Sequence, residues 1–412
     1  MSAFIQDKIA ARLGGSEFGK KTEIYKFEKI KRAKAAAMAA RPDVPIIDMG
    51  VGEPDRPADP MVVETLCAEA GKPENRFYAD NGIPEFKQAA AAYLDRVYGV
   101  GGLDPDTQIV HGIGSKPILA MMPHAFIDPG DVIIQTTPGY PVAATITRYL
   151  GGEAYNLPLL RENGFLPDFD AVPDDIAQRA KLLYINYPNN PTGAIADRAF
   201  FDRVVAFARR AGVVVLHDAA YAALTFDGVE PLSFLSVDGA MDVGVEIHSM
   251  SKAFNMTGWR MAFIAGNPLV VKAFATIKDN NDSGQFRAIQ KACITALTNT
   301  GITDQTRERY ARRHALLVDA LQAVGFPAEK PKATFYCYVP APKSARGGSV
   351  TFASGEEASQ YLITEASIST VPWDEAGAYL RFSVTFAAAD EAEEQRVIAE
   401  LQRRLSELDL AF

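Results

Sequence analysis

The sequence predicts an α/β protein built on a mainly parallel sheet that helices cover on both faces. From about Gln108 onward, short apolar runs alternate with segments of helical periodicity such as 116–126, 197–211 and 267–279. The predicted strands are residues 109–111, 132–135, 182–186, 213–217, 245–248 and 261–265. Repeated strand–helix units favour parallel pairing. In such sheets, ligands bind beyond the carboxyl ends of the strands.

A second, smaller α+β domain is predicted where this alternation stops, after about residue 301. A long charged helix (304–324) is followed by a strand with alternate aromatics (333–339) and a Gly/Ser-rich loop (341–354). A helix, two strands (368–371 and 379–384) and a final helix ending at Leu408 complete the segment. Two helices, 61–70 and 85–98, precede the alternating region. We assign residues 46–300 to a large domain, and residues 1–45 with 301–412 to a small one that the N-terminal helix 26–40 completes.

Composition excludes several classes of function. The 412 residues are 48% hydrophobic and carry a net charge of −9, which disfavours nucleic acid and anionic membranes as partners. The five histidines show no spacing typical of a metal site. No apolar run reaches the ~18 residues of a membrane helix, and the N-terminus does not resemble a signal peptide. Three widely separated cysteines suggest a reducing compartment, so we expect a cytoplasmic protein.

One stretch, SMSKAFNMTGWR from Ser249 to Arg260, carries the strongest chemical signal. It places Lys252 between two apolar runs, with the hydroxyls of Ser249 and Ser251 before it and Arg260 after it. A solvated surface turn is one interpretation. The other is a lysine whose amine forms a Schiff base with a carbonyl cofactor, since hydroxyls and a guanidinium suit the phosphate of such a cofactor.

The segment from His111 to Lys116 lies at a predicted strand-to-helix junction. Its glycines half match a dinucleotide motif, but Pro117 stands where the third glycine should be, which disfavours nicotinamide binding. A helix N-terminus with the Ser115 hydroxyl more readily holds a phosphate or carboxylate.

Polar or aromatic residues also follow other strands. Tyr140 either packs in the core or stacks on a planar ring. Asn190 lies in a tight turn and could bond a phenolic oxygen. Asp218, with Tyr221 close behind it, ends an apolar strand, and its plausible partner is a protonated ring nitrogen. Arg381 lies within an apolar strand and needs an anion, either an internal carboxylate or a substrate carboxylate.

Together these residues resemble the pyridoxal-phosphate aminotransferases of the aspartate aminotransferase superfamily, over nearly the whole chain. The matching positions, in order, are Tyr78 with Gly82, Tyr140, Asn190–Gly193 (NPTG), Asp218 with Tyr221, the SMSK that ends at Lys252, Arg260 and Arg381. The resemblance implies fold type I with a seven-stranded sheet, the cofactor pyridoxal 5'-phosphate, and a homodimer with shared active sites.

The resemblance also implies residue roles. Lys252 would hold the cofactor covalently and move a proton, and Asp218 would keep the pyridine nitrogen protonated. Asn190 and Tyr221 would bond the phenolic oxygen, and Tyr140 would stack on the ring. The expected phosphate ligands are Ser115, Ser249, Ser251, Arg260 and, from the partner subunit, Tyr78; Lys116 is a further cofactor contact. Arg381 would hold the substrate α-carboxylate.

Within the superfamily, the chain most resembles the LL-diaminopimelate aminotransferases, through EIYKFEKI, GIGSKPILAMMP, DPGDVIIQTTPGYPV and KDNNDSGQF. These enzymes act on an amino acid and a 2-oxo acid. Their substrate is zwitterionic at both ends, so the resemblance implies cationic and anionic contacts far from the cofactor. The expected substrate contacts are Tyr25, Gly52, Asp80, Lys116, Asn190, Arg287 and Arg381, with Ser283 and Gln285 as further candidates.

Three alternatives compete with this interpretation. The first is an aminotransferase for alanine, aspartate or aromatic amino acids, or a carbon–sulfur lyase of the same fold. The second is a serine hydrolase, because Ser249 to Lys252 matches SxxK; the absence of a KTG triad and the order of the motifs disfavour it. The third is a DNA-binding regulator, which the negative charge and the short N-terminal segment disfavour.

Overall fold

The computed structural model describes residues 3–20 and 26–412. In these residues the strands are β1 Ile47–Asp48, β2 Ile109–Gly112, β3 Val132–Thr137, β4 Glu153–Pro158, β5 Ala180–Asn186, β6 Val214–Asp218, β7 Gly244–Ser249, β8 Ala262–Gly266, β9 Tyr336–Pro340, β10 Ser344–Ala345, β11 Val350–Thr351, β12 Ile368–Ser369, β13 Val371–Trp373 and β14 Tyr379–Ser383.

The helices of the same residues are α1 Ala3–Gln6, α2 Lys26–Ala40, α3 Pro60–Ala70, α4 Pro84–Tyr98, α5 Pro105–Gln108, α6 Ser115–Phe126, α7 Val142–Tyr149, α8 Asp174–Arg179, α9 Arg198–Ala211, α10 Ala240–Val243, α11 Met250–Ala253, α12 Pro268–Lys278, α13 Arg287–Thr298, α14 Gly301–Ala323, α15 Gly355–Ala366 and α16 Glu391–Ser406. The long helices largely follow the prediction, but the sequence patterns did not predict α7 or α13. No helix in the described ranges is both long and apolar enough to cross a bilayer.

The central sheet has seven strands in the order β2-β8-β7-β6-β5-β3-β4. Strands β4, β3, β5, β6 and β7 pair in parallel, and β8 is antiparallel to both of its neighbours. The predicted α/β class and mainly parallel sheet are therefore confirmed. The edge strand β4 was not predicted, because its sequence EAYNLP contains no continuous apolar run; only one of its residues is buried.

Helices cover both faces of this sheet, and two apolar clusters fill the spaces between sheet and helices. Helix α9 shows how the sequence positions one of these helices. Asp197 accepts a hydrogen bond from the Phe200 backbone at the helix start, and Gly212 ends the helix in a left-handed conformation. Between these ends, Phe200, Phe201 and Val204 recur at helical spacing and are buried.

The C-terminal segment builds a second, three-stranded antiparallel sheet in the order β13-β14-β9. Two predicted strands need correction. The strand expected at 333–339 begins at Tyr336, and the strand expected at 368–371 is two short strands. Of these, β12 pairs with β1 and β13 joins the three-stranded sheet, so Thr370 marks the change of partner.

Helix α2 packs on this C-terminal segment. Ile30 and Ala37 lie in one buried cluster with Ile363, Val371 and Trp373. That the N-terminal helix completes a small domain stays a prediction. The limits at residues 45/46 and 300/301 stay a prediction.

Candidate active site

A cavity of about 760 Å³ lies at the carboxyl ends of the central strands, between the sheet, helix α2 and the C-terminal segment. Its walls bring together residues that are more than 300 positions apart in sequence. Among the residues predicted for the site, those that line it are Gly52, Ser115, Lys116, Tyr140, Asn190, Asp218, Tyr221, Ser249, Ser251, Lys252, Arg260 and Arg381.

Lys252 extends into this cavity from the turn after β7. The turn is fixed locally, because the Ser249 side chain accepts a hydrogen bond from the Ser251 backbone (3.1 Å) at the start of α11. The Lys252 amine donates to the Gly52 carbonyl at 2.8 Å. The Lys252 amine is therefore hydrogen-bonded to the loop that contains Gly52. It is not a solvated surface group.

Asp218 lies at the end of β6 and is only 6% exposed. Its Oδ2 accepts one long hydrogen bond from the Tyr184 hydroxyl (3.3 Å), and Oδ1 is buried without a hydrogen bond. Burial raises the pKa of the Asp218 carboxyl to about 6, although the charges of His217 and Lys252 oppose the shift. A buried carboxylate oxygen without a partner, at the wall of a cavity, is suited to a cationic N–H donor.

Asn186, at the end of β5, holds the neighbouring strand ends in place. Its Nδ2 donates to the Asp218 carbonyl (2.7 Å), and its Oδ1 accepts from the Asn190 backbone (2.8 Å). Asn190 was expected in a tight turn after this strand, whereas Asn186 had no predicted role. The sequence did contain a signal for Asn186, because it is a polar residue at the end of a buried strand, as the candidate acid Asp218 is.

An anion-binding cradle forms where Ser115, Gly114 and Arg260 meet. The Ser115 hydroxyl is buried without a hydrogen bond at the start of α6. Gly114 has φ +86°, and a Cβ at this position would overlap the Arg260 guanidinium. Arg260 itself has φ +55°, and its Nη1 donates to the Thr257 carbonyl (2.9 Å). A strained arginine beside a helix N-terminus and an open hydroxyl is suited to a phosphate.

Arg381 is 3% exposed and has no carboxylate partner in the described residues. Its Nη1 donates to the Asn190 side chain (2.9 Å) and its Nη2 to the Gly50 carbonyl (3.1 Å), whereas Nε is buried without a partner. The guanidinium also lies 4.0 Å from the Tyr336 ring centre. An internal ion pair is therefore not what compensates this charge, and an anionic ligand is the remaining interpretation.

Two tyrosines complete this side of the cavity. Tyr221 lies after β6, and its hydroxyl is 3.2 Å from that of Tyr336, a residue that the sequence analysis did not single out. Burial raises the pKa of Tyr221 well above its ordinary value, so the phenol stays protonated and can donate. Tyr140 lines the cavity after β3, and its role in stacking stays a prediction.

The other candidates that the structure describes do not line the cavity of this chain. The Tyr78 side chain is 77% exposed, and its carbonyl accepts from Arg287 Nη2 (2.6 Å). The Asp80 carbonyl accepts hydrogen bonds from buried Lys278 and His111.

Gln285 donates to the Trp259 and Arg260 carbonyls, and Ser283 is also not part of the lining. Tyr25 lies outside the described residues.

The sequence analysis also missed residues that helix α2 and the C-terminal segment contribute to the wall. Lys26 Nζ lies 4.0 Å from the Trp373 ring centre and pairs with Glu375 at 3.0 Å. Lys26, Trp373 and Glu375 all line the cavity. No periodic pattern could have placed them there, because the contact joins positions almost 350 residues apart.

The geometry can now be compared with known proteins. The family described as "Aminotransferase class I and II" matches residues 44–401, most of the chain. The chain belongs to the class I and II aminotransferases. The predicted family is thereby confirmed, and so is the expectation that the protein is an enzyme that transfers amino groups.

Individual relatives match this aminotransferase along its whole length. It is 56% identical to the LL-diaminopimelate aminotransferase of Methanocaldococcus jannaschii and 52% identical to that of Methanococcus maripaludis, with complete coverage of both chains in each case. Among solved structures, substrate-bound BacF from Bacillus subtilis superposes with a TM-score of 0.86 at 32% identity, over 97% of this chain and 98% of that one. The fold is type I.

Class I and II aminotransferases depend in general on pyridoxal phosphate, and the cavity of this aminotransferase fits that group. Among the buried polar atoms of its lining that have no hydrogen bond are Asp218 Oδ1, Ser115 Oγ and Arg381 Nε. They match in kind the three charges of a bound cofactor and amino acid, which are a protonated ring nitrogen, a phosphate and a carboxylate. Native proteins leave few buried polar atoms unpaired, so these three suggest ligand positions.

Proposed function

We propose that this aminotransferase uses pyridoxal phosphate to transfer an amino group between LL-2,6-diaminopimelate and 2-oxoglutarate. The amine at one α-carbon passes to 2-oxoglutarate, which becomes glutamate. The ketone left behind condenses with the remaining amine, loses water and gives tetrahydrodipicolinate. Such a reaction supplies a precursor of lysine and of peptidoglycan. The observation that carries the proposal is the match, at more than 50% identity and full length, to relatives named for this activity.

The residues that we assign to the cofactor all line the cavity into which Lys252 extends. Asp218 would hold a proton on the ring nitrogen, Asn190 and Tyr221 would face the phenolic oxygen, and Tyr140 would cover the ring. Ser115, Ser249, Ser251 and Arg260 would hold the phosphate. When bound, pyridoxal phosphate supplies an electron sink that stabilises negative charge at the substrate Cα.

The chain's own groups would then bind the substrate and move its proton. Arg381 offers its guanidinium to the α-carboxylate, and the open Nε already lies in the cavity wall. Lys252, released from its contact with Gly52, would remove the proton from Cα and return it during the second half of the reaction. Tyr336 and Tyr221, which are both buried, would keep water from the charged groups on this side.

We also propose a homodimer, in which Tyr78, Asp80 and Arg287 of one chain would face the cavity of the other. Tyr78 is exposed and lies against Arg287 together with the half-exposed Phe77 ring. Adjacent exposed aromatic side chains such as Phe77 and Tyr78 favour an interface at this position. A cytoplasmic location is supported by Cys67, Cys293 and Cys337, which are all free thiols.

The test is a substrate panel with 2-oxoglutarate as amino acceptor: LL-diaminopimelate, aspartate, alanine, phenylalanine and cystathionine. We expect kcat/KM to be highest for LL-diaminopimelate. Lys252→Ala should lower that turnover by ~10⁴-fold, because it removes the group that moves the proton. A higher kcat/KM with another amino donor, or pyruvate release from cystathionine, would replace the proposal with one of its alternatives.

A further inference from the structure

The loop of residues 49–59 joins β1 to α3 and forms part of the cavity wall. The Gly50 carbonyl accepts a hydrogen bond from Arg381 Nη2 at 3.1 Å. The Gly52 carbonyl accepts one from Lys252 Nζ at 2.8 Å. A Cβ at Gly52 would lie 3.8 Å from Arg381 Nη2, so the loop backbone packs directly against the guanidinium. The position of this loop therefore affects the orientation of Arg381.

A buried charge outside the cavity lining anchors the loop. The Asp55 carboxylate is 4% exposed, and its Oδ2 accepts from Arg313 Nη2 at 3.1 Å. Two further guanidinium groups approach it: Arg309 Nη1 lies 3.9 Å from Oδ1, and Arg56 Nε lies 3.7 Å from Oδ2. Separating a buried carboxylate from such partners is costly, so the loop is held firmly at Asp55.

The Arg313 side chain links this anchor to the strand of Arg381. Arg313 lies on α14 and is fully buried. Its Nη1 donates to the carbonyls of Val384 (2.8 Å) and Phe386 (3.0 Å), which directly follow β14. Because Arg381 lies in β14, one rigid guanidinium holds both of the segments that meet at the hydrogen bond between Arg381 and Gly50.

Neutral hydrogen bonds join the same two segments. The Thr385 hydroxyl donates to the Val51 carbonyl at 3.2 Å, and the Ser383 backbone donates to the Met49 carbonyl at 2.7 Å. Each of these bonds is weaker than one between charged groups, so Asp55 is the strongest single contact that holds the loop in place.

We infer that Asp55 is a positioning residue for Arg381. It holds the loop of residues 49–59 through Arg313, and the loop presents the Gly50 carbonyl to the guanidinium. The inference rests on the proposed role of Arg381 but not on the identity of the amino donor. Both the amino donor and 2-oxoglutarate bring an α-carboxylate to Arg381, so a displaced guanidinium should weaken the binding of both. The anion-binding cradle lies on other elements, so the affinity for pyridoxal phosphate should not change.

The experiment compares Asp55→Asn with Glu394→Gln. Glu394 on α16 is 2% exposed and pairs with Arg313 Nε at 2.8 Å, and its hydrogen bonds go to Arg312 and Arg313. Both variants remove a buried charge from Arg313 and should lower stability in urea unfolding. Only Asp55→Asn removes the anchor of the loop.

Steady-state kinetics use 2-oxoglutarate and the amino donor that the substrate panel selects. Asp55→Asn should raise KM for both substrates by a similar factor, ~10-fold, and leave kcat within ~3-fold, because the carboxylate is bound in the ground and transition states alike. Glu394→Gln should leave both KM values within ~2-fold of the wild type, because a change in stability alone alters the amount of active enzyme and not its affinity.

Hydrogen exchange of the cofactor-free protein gives a readout that does not depend on turnover. Amides of residues 49–56 should exchange ~10-fold faster in Asp55→Asn than in Glu394→Gln, since local opening of the loop becomes easier. If Asp55→Asn fails to fold, Thr385→Val removes the neutral bond to Val51 instead and should raise both KM values ~2–3-fold.

Arg381→Lys separates the two levels of the argument. If this variant raises both KM values but Asp55→Asn does not, or if Asp55→Asn and Glu394→Gln raise them equally, the inference about Asp55 is overturned and the role of Arg381 stands. If Arg381→Lys leaves both KM values unchanged, the proposed role of Arg381 is overturned, and the inference with it.

Discussion

Two buried carboxylates on neighbouring strands of the central sheet have opposite environments. Asp218 ends β6 at the cavity, and Glu246 lies within β7, paired in register with His217, the residue before Asp218. Asp218 is 6% exposed and Glu246 is fully buried. Both side chains have therefore lost water, and the protein groups around each one decide its charge.

Every hydrogen-bonding site of Glu246 is used. Its oxygens accept from His217 Nδ1 (2.7 Å), His248 Nε2 (2.6 Å), the Ser233 hydroxyl (2.7 Å) and the Phe234 backbone (2.7 Å). His217 Nε2 also lies 3.0 Å from an acceptor, the Tyr187 carbonyl, so each ring nitrogen of His217 faces an oxygen. Burial alone would raise the pKa of Glu246, but the two imidazoles hold it well below its ordinary value.

Asp218 has the opposite balance. One side chain, Tyr184, donates to it at 3.3 Å, its Oδ1 is buried without a hydrogen bond, and burial raises its pKa although the Ala220 backbone opposes the shift. The comparison teaches that burial of a carboxylate does not by itself indicate function. A carboxylate whose acceptor sites are all hydrogen-bonded, such as Glu246, stabilises the sheet. A carboxylate at a cavity with an unused acceptor oxygen, such as Asp218, remains able to bind a ligand.

The largest effect on folding should come from Glu246→Gln. The change removes the buried charge that His217 and His248 both contact, and breaking a buried carboxylate–imidazole network in this way costs ~3–5 kcal/mol. Urea unfolding of the cofactor-free protein measures the loss. Glu153→Gln is the matched control: Glu153 pairs with Arg179 at 2.9 Å but is half exposed, so its loss should stay below ~1 kcal/mol. Equal losses of unfolding free energy in Glu246→Gln and Glu153→Gln would show that the buried carboxylate contributes no more to stability than the exposed one.

Asp218→Asn should have the opposite effect on the cofactor-free protein. The pKa of Asp218 rises from 3.8 to about 6 on folding, so the ionised form opposes folding. Its cost is absent at low pH, grows as the pH rises through this interval and reaches ~3 kcal/mol above it. The asparagine variant should therefore match the wild type at pH 4 and exceed it in stability at pH 7, while binding pyridoxal phosphate more weakly. A less stable variant at pH 7 would show that the carboxylate already has a partner.

Tyr184→Phe should have the smallest effect on stability of the three substitutions. It tests how far one hydrogen bond sets the difference between Asp218 and Glu246. The Tyr184 hydroxyl is the one side chain seen to donate to Asp218 in the described residues, and its long hydrogen bond should contribute no more than ~1 kcal/mol. Its loss should move the pH midpoint of the Asp218-dependent stability upward. An unchanged midpoint would mean that this hydroxyl does not affect the acid.

Sequence patterns predicted the parts of this site that depend on local chemistry. Lys252, Asp218 and Asn190 each follow an apolar strand, and parallel strands bring their carboxyl ends to one edge. The same reasoning could not find partners that only register or tertiary packing brings together. Glu246 was visible as an acid within an apolar strand, but His217 is 29 residues away, and nothing in the sequence indicates that the two pair.

The edge of the sheet was missed for a related reason. Strand β4 has too few buried residues to show an apolar period, so its pairing with β3 was not predicted. The proposed contacts of Tyr78 and Arg287 depend on a second chain, and one sequence does not give the arrangement of two.

The most direct test of the account is to identify the lysine that carries pyridoxal phosphate. Borohydride reduction of the loaded enzyme, followed by proteolysis and mass spectrometry, fixes the cofactor to the amine that holds it. The cavity wall offers four competing lysines, Lys26, Lys31, Lys34 and Lys116. The account predicts a pyridoxyl label on Lys252 alone. A label on one of the four others, or an enzyme that takes up no label, would contradict it.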